Sequence, residues 1–422
     1  MIVPLSAPDI DLRERELVNE VLSGRVLSIG PRIEQFERMV ADYLGVKEAV
    51  AVNSGTSGLH LAVRALGIGD GDEVITTPFS FIASSNCLLY ERARPVFVDI
   101  DPLTLNLDPN EIEAKITLKT RGILPVHVFG RPADMEAIFE IAARHRLTVI
   151  EDACEAIGAR YNGPMVGTAC DAGVFAFYPN KQITTGEGGI ISTNSEDLAR
   201  LCRSMRNQGR SDEGDAWLHH CRLGYNYRMD EMSAALGVAQ MERIDEILIK
   251  REAVAQTYNA RLEKINGVTI PTPAGPGMKI SWFVYVIRLD PEIDRDRVMA
   301  YMRKNGVDCR PYFQAIHLQP FYMEMFGFQP GDYPNTEHAA STTIALPFYN
   351  NLTEQQVDYV VGALAEALAG SADRNEAAAQ PRQSVKKTTS HARPLKDIRS
   401  SHLRKRTYSD LSRLKRGPKK AR

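Results

Sequence analysis

The chain of 422 residues carries only six cysteines and two tryptophans. The cysteines (Cys87, Cys154, Cys170, Cys202, Cys221 and Cys309) are scattered, with no Cys-x-x-Cys pair. That spacing excludes a zinc-binding pattern or a disulfide framework, leaves no metal site to expect, and suits a reducing cytoplasm. No apolar run approaches the roughly 20 residues that a membrane-spanning helix requires. The amino-terminal stretch MIVPLSAPDIDLRERE is acidic early and has no apolar core, so it reads as neither a secretory signal nor a span. No internal repeat is visible.

What is present is an ordinary globular composition, 44% hydrophobic and 25% charged, in a chain long enough for two or three domains. The net charge of −2 conceals an asymmetry. Residues 371–422 hold 16 Lys+Arg against 4 Asp+Glu, a net of +12, which leaves 35 basic and 49 acidic residues and a net of −14 for residues 1–370. The tail is poor in large apolar residues and offers Tyr408 as its one aromatic. It reads as a solvated, disordered extension; its clusters at 404–406 and 415–420 are the feature that a polyanion-binding alternative, with nucleic acid as partner, would use.

Between about 48 and 193, short apolar strands alternate with amphipathic helices. Strands are expected over 49–52, 73–76, 95–98, 122–126, 148–151, 173–177 and 189–192, and helices over 10–23, 32–44, 58–66, 80–90 and 135–145. That alternation predicts an α/β domain with a mostly parallel sheet covered on both faces. A long helical stretch over 230–264 leads out of it. Residues 266–370 mix strands (268–270, 282–289) with helices (295–305, 354–368), as in a smaller α+β domain. The expected division is 1–245, 246–370 and the tail.

Ligands of such sheets bind at the carboxyl ends of the strands. After the first strand comes Asn53-Ser54-Gly55-Thr56-Ser57-Gly58, opening a helix. Small and hydroxylated residues there make an anion site, or simply a helix cap. This loop is neither a Walker loop nor G-x-G-x-x-G, which argues against triphosphate and dinucleotide binding. After the second strand comes Thr77-Pro78-Phe79-Ser80-Phe81, with aromatics able to cover a flat ring. After the 148–151 strand come Glu151 and Asp152, then Glu155; a carboxylate ending a buried strand is costly without a cationic partner. After the 173–177 strand comes Lys181, followed by the glycine-rich Thr184-Thr185-Gly186-Glu187-Gly188-Gly189. Alone, Lys181 is an ordinary strand-end lysine. With a phosphate site, a ring-covering aromatic and a carboxylate at the same sheet edge, it completes the parts that hold pyridoxal 5′-phosphate.

The motifs NSGTSGLHLAVRALGIGDGDEVI, TPFSFIASSN, PVHVFGRPADM, EDACEAIGARYNG, FYPNKQITTGEGG, GYNYRMDEMSAALGVAQMERID and HLQPFY occur in this order across residues 3–369. They resemble the sugar aminotransferases of the DegT/DnrJ/EryC1/StrS family, which have the fold type I, aspartate aminotransferase-like architecture. The resemblance implies that Lys181 is the Schiff-base lysine, Asp152 the partner of the pyridine nitrogen and Phe81 the stacking aromatic. It implies that Gly55, Thr56 and Ser57 grip the phosphate. It also implies that Asn226 reaches the phosphate of a neighbouring subunit in a homodimer. Glu155 falls where relatives carry Gln or His near the cofactor hydroxyl or substrate, and His317 falls in a stretch that lines the substrate cleft. Ala176 stands where relatives often have a phosphate-binding serine, so that contact passes to backbone or to Thr184.

The implied reaction is amination of a nucleotide-diphosphate keto sugar with glutamate as donor. Relatives acting at C3 often read Q-A-H-G where this chain has Glu155-Ala156-Ile157-Gly158, which leans the expectation toward a 4-keto-6-deoxy hexose. A 3-keto sugar or a cyclitol-type ketone is the alternative; a sugar 3-dehydratase is disfavoured, because those relatives replace the lysine with histidine.

Overall fold

A computed structural model describes residues 1–211 and 218–379, with side chains through residue 370. In chain order the first half comprises α1 (Leu12–Ser23), α2 (Pro31–Leu44), β1 (Glu48–Val52), α3 (Gly55–Ala65), β2 (Glu73–Thr76), α4 (Ala83–Tyr90), β3 (Arg94–Phe97), β4 (Thr120–Leu124), α5 (Met135–His145) and β5 (Thr148–Asp152). It continues through β6 (Arg160–Tyr161), β7 (Ala172–Ala176), β8 (Gly189–Thr193), α6 (Glu196–Arg206), α7 (Glu231–Glu242) and α8 (Ile244–Leu262). The remainder comprises β9 (Val268–Thr269), β10 (Met278–Lys279), β11 (Tyr285–Leu289), α9 (Arg295–Lys304), α10 (Pro320–Phe326), α11 (Pro334–Thr342), β12 (Thr343–Leu346) and α12 (Glu354–Ala379).

Seven strands form one sheet in the order β1-β8-β7-β5-β4-β2-β3. β2, β3, β4, β5 and β7 pair in parallel, while β8 runs antiparallel to both β7 and β1. Two-residue alternation sorts its side chains onto two layers. Ala49, Ala51, Phe175 and Ile190 pack with α1, α2 and α7, and Ile75, Ile123 and Val149 pack with α5 on that face. Val50, Val52, Val74, Leu124, Ile150, Val174 and Ile191 pack with α3, α4 and α6 on the other. Each fully buried Val or Ile contributes about 1.5–3 kcal/mol of apolar burial, and near-complete occlusion of both faces explains why these strands read as continuous apolar runs.

Two further sheets are small: β10 pairs with β6, and β12-β11-β9 form an antiparallel sheet whose core includes Tyr258, Tyr285, Ile287, Met302 and Val360. Strand β11 starts three residues later than expected because Trp282, at φ +52°, breaks the extended backbone. The single helix expected over 230–264 is two, interrupted at Arg243 (φ −130°). Neither glycine nor proline marks the break. Instead the Arg243 guanidinium is drawn to Asp9 (3.0 Å) and Glu14 (3.0 Å) of the amino-terminal segment. Helix α12 runs to Ala379 rather than ending near 368, in keeping with its alanine-rich end. The basic segment from 380 onward lies outside the described residues.

Candidate active site

At the carboxyl end of β1 the chain turns directly into α3. Ser54 caps the helix, its Oγ accepting the Ser57 N–H at 3.1 Å, while the Ser57 hydroxyl donates to Asn53 Oδ1 at 2.7 Å. Both Ser57 donors are therefore committed to the cap, and Ser57 does not line the cavity. Of the expected phosphate grip, Gly55 and Thr56 face the cavity, joined by Ser54. The first N–H groups of a helix have no intrahelical acceptor and carry the positive end of its dipole. Gly55 is required sterically, since a Cβ there would lie 2.7 Å from the Ala176 methyl and 2.9 Å from Cys154 Sγ.

Asp152 ends β5 on the α3–α4 side. Its carboxylate is 4% exposed; Oδ2 accepts the Ser84 hydroxyl at 2.7 Å and Oδ1 accepts the Cys154 N–H at 3.1 Å. Ser80 bonds Ser84 in turn (2.7 Å), so the segment carrying Phe81 is tied to the carboxylate. Phe81 itself is 62% exposed, a large aromatic face turned into the cavity.

Lys181 follows a turn closed by its own N–H to Tyr178 O (2.9 Å). Its Nζ lies 3.5 Å from Glu155 Oε1 and 3.8 Å from the centroid of the Phe283 ring. Glu155 is held from both ends: Oε2 accepts the Phe129 N–H (2.9 Å) and its carbonyl accepts Gln182 Nε2 (2.6 Å). Burial pushes the Glu155 carboxyl above the usual range, and the neighbouring Lys181 opposes that shift. Gly189 brings the returning strand against the helix cap; a Cβ there would meet the Ser54 backbone at 2.7 Å.

Lys181, Asp152, Glu155, Phe81, Gly55 and Thr56 thus line one cavity of about 550 Å³. Other expected residues do not join them. His317 is fully buried, its Nε2 bonded to Glu337 (3.0 Å) and its ring packed edge-on against Tyr333, so it lines no cleft. His317, expected to bind substrate, thus lies apart from the cavity; its neighbour Ile316 packs with Phe97, Tyr322 and Tyr333. Asn226 is exposed and lies outside its own chain's cavity. The Thr184 hydroxyl donates to Phe177 O (3.1 Å) and accepts the Gly186 N–H (2.9 Å), so it supplies no substitute for the serine absent at Ala176, which does line the cavity.

Sequence reading missed Ser84, Phe283, Tyr312 and Phe313 in the cavity wall. Ser84 had a usable signal, three residues after Phe81 in the first turn of α4. Tyr312, whose hydroxyl burial pushes up to about 12, and Phe283 come from distant irregular segments with no periodicity to flag them.

The donor set fits pyridoxal 5′-phosphate: an amine, a hydrogen-bonded carboxylate, an exposed aromatic face and a helix amino terminus surround a space of the size small-molecule sites use. The profile of the DegT/DnrJ/EryC1/StrS aminotransferase family matches residues 8–365. GDP-perosamine synthase of Caulobacter vibrioides is 42% identical over 370 residues, covering 87% of this chain and 98% of that one. Spore coat polysaccharide biosynthesis protein SpsC of Bacillus subtilis is 36% identical over 381 residues, covering 87% and 98%. Among solved structures, Helicobacter pylori PseC, an aminotransferase involved in pseudoaminic acid biosynthesis, superposes with a TM-score of 0.84 at 28% identity, covering 88% of this chain and 100% of that one.

Proposed function

Because this chain belongs to the DegT/DnrJ/EryC1/StrS aminotransferase family and is a pyridoxal 5′-phosphate-dependent aminotransferase of fold type I, we propose that it transfers the amino group of glutamate to a keto sugar carried on a nucleotide diphosphate. The observation that carries this reading is the meeting of Lys181, Asp152, Phe81 and the α3 amino terminus in one cavity. Likeness to GDP-perosamine synthases from three organisms supports a nucleotide-linked sugar, and likeness to a spore coat polysaccharide protein supports a role in surface polysaccharide or glycosylated-metabolite synthesis.

Bound at this site, the cofactor supplies an electron sink for a carbanion at the carbon that gains or loses the amine. The Gly55 and Thr56 N–H groups would hold its phosphate, Phe81 would cover its ring, and Asp152 would keep a proton on the ring nitrogen. Ser84 and the Cys154 N–H fix the Asp152 carboxylate in place. Lys181 Nζ anchors the cofactor, then serves as the base and acid that moves a proton in each half-reaction. Glu155 and Phe283 flank that nitrogen and restrict its water. Exposure of Asn226 outside its own cavity suits a homodimer in which it serves the partner's site, in the cytoplasm. Residues 1–245 would form the cofactor-binding part and 246–370 a smaller part.

The 4-keto-6-deoxy preference rests on the sequence argument. Ile157 is packed in the core beneath α2 and α7, so a histidine there would influence the cavity indirectly. The test is purified protein with glutamate and either 4-keto or 3-keto nucleotide sugars. Glutamate-dependent amine formation on the 4-keto substrate, lost in Lys181→Ala, is expected; turnover retained by Lys181→Ala would overturn the proposal.

A further inference from the structure

Helix α8 buries a cation that makes no ion pair among the described residues. Arg251 is 2% exposed, and its guanidinium donates from Nε to Trp282 O, from Nη2 to Phe283 O and from Nη1 to Asn350 Oδ1, each at 2.6 Å. Its Cζ stands 4.9 Å from the centre of the Phe348 ring. Asn350 donates onward to Asp9 Oδ2 (3.3 Å), which places a carboxylate one amide away. Burial lowers the guanidinium's pKa to about 9, which still leaves a cation at neutral pH.

An unpaired buried cation is expensive, and this one is committed to two successive carbonyls. Along an extended strand successive carbonyls point to opposite sides. Here both turn to one guanidinium, directly after Trp282, whose φ of +52° is a left-handed conformation unusual for a bulky residue. The same turn is tied to the segment that holds Glu155: Phe283 N–H donates to Phe129 O (3.2 Å), and Ser281 N–H to Gly130 O (3.0 Å). What the turn presents to the cavity is the Phe283 ring, 3.8 Å from Lys181 Nζ.

We propose that Arg251 is a positioning residue for Lys181, fixing the 282–283 carbonyls so that the Phe283 ring is held against Nζ opposite Glu155. The inference rests on the reading of Lys181 as the cofactor's anchor. A ring face attracts a positively charged nitrogen beside it, and the Phe283 ring limits the water that reaches Nζ. The titratable groups sharing the cavity with Lys181 are Asp152, Cys154, Glu155, Tyr178, Glu187 and Tyr312, none altered by the variants below.

The experiment uses five full-length proteins supplied with cofactor: wild type, Phe283→Leu, Arg251→Met, the double variant and Lys181→Ala. The pH midpoint of the cofactor's visible absorbance and the affinity for pyridoxal phosphate are read, with thermal melts alongside. Phe283→Leu should lower the midpoint by about one pH unit, the effect of a cation–π contact of ordinary strength. Arg251→Met should move it the same way, and the double variant no further than Phe283→Leu alone. Should the methionine variant fail to fold, Arg251→Lys takes its place in the cycle with the same expectation, because an ammonium cannot span three acceptors as a planar fork does. Additive shifts, or no shift from the Arg251 variant, overturn the positioning role. An absorbance that Lys181→Ala leaves unchanged would instead contradict the cofactor reading itself.

Discussion

Glu151 and Asp152 are consecutive carboxylates at the end of one buried strand, and the pleat sends them to opposite faces. Glu151 shares the face of Val149. There its Oε2 accepts both His127 Nε2 (2.8 Å) and the Gly167 N–H (2.6 Å), in a sealed network away from the cavity. Asp152 shares the face of Ile150, toward α3 and α4, and its carboxylate opens on the cavity with Ser84 and the Cys154 N–H behind it. Two acids of nearly equal burial therefore have different work. One joins loops on the back of the sheet, and the other is set to meet a cation arriving from the front. Burial alone identifies neither; strand register does.

Substitution at each carboxylate separates the two roles. The largest effect should come from Lys181→Ala on the cavity side, with turnover reduced on the order of 10³-fold or more by loss of the proton-moving group, as steady-state kinetics would show. Asp152→Asn should lower kcat on the order of 10²–10³-fold while leaving the melting temperature nearly unchanged. The mirror experiment is Glu151→Ala, which orphans two buried donors. It should destabilise the chain by about 3 kcal/mol in urea titrations with kcat within a few-fold of wild type. Should the two variants exchange phenotypes, the register argument fails.

Glu155 lies between these extremes, buried yet facing the cavity. Its raised pKa, caused by burial against the opposing pull of Lys181, means the folded chain keeps this proton to higher pH than the unfolded chain does. The associated stability is fully present below the ordinary glutamate value of 4.5 and is lost as pH rises through the folded value. Wild type should therefore lose stability relative to Glu155→Gln across that rise, and urea titrations at a series of pH values would measure it. The smallest effect belongs to Ala176→Ser, which restores a hydroxyl to the phosphate end. One added hydrogen bond of about 0.7 kcal/mol should tighten pyridoxal phosphate binding roughly threefold, as read by cofactor titration.

Much of this arrangement was legible in the chain. All seven strands of the main sheet fall within two residues of their expected bounds, because strands buried on both faces are short, apolar and bounded by turn residues. Lys181, Asp152 and Phe81 stand out in the sequence because a parallel sheet brings the residues that follow its strands to one edge, and the three do line one cavity. Least legible were residues whose type suits a role but whose partner lies beyond local sequence. Ser57 is used by its own helix cap, and His317 by Glu337 and an aromatic cluster. The break at Arg243 escaped notice because it depends on carboxylates more than 200 positions away. Phe283 and Arg251 were invisible for the same reason: a left-handed turn at Trp282 has no sequence signature.

Whether Lys181 anchors the cofactor can be read from borohydride reduction of the loaded protein followed by peptide mass spectrometry. A phosphopyridoxyl group is expected on Lys181 and on no other lysine. A label on a different lysine, or none on a protein that turns over, would rule Lys181 out as the anchor.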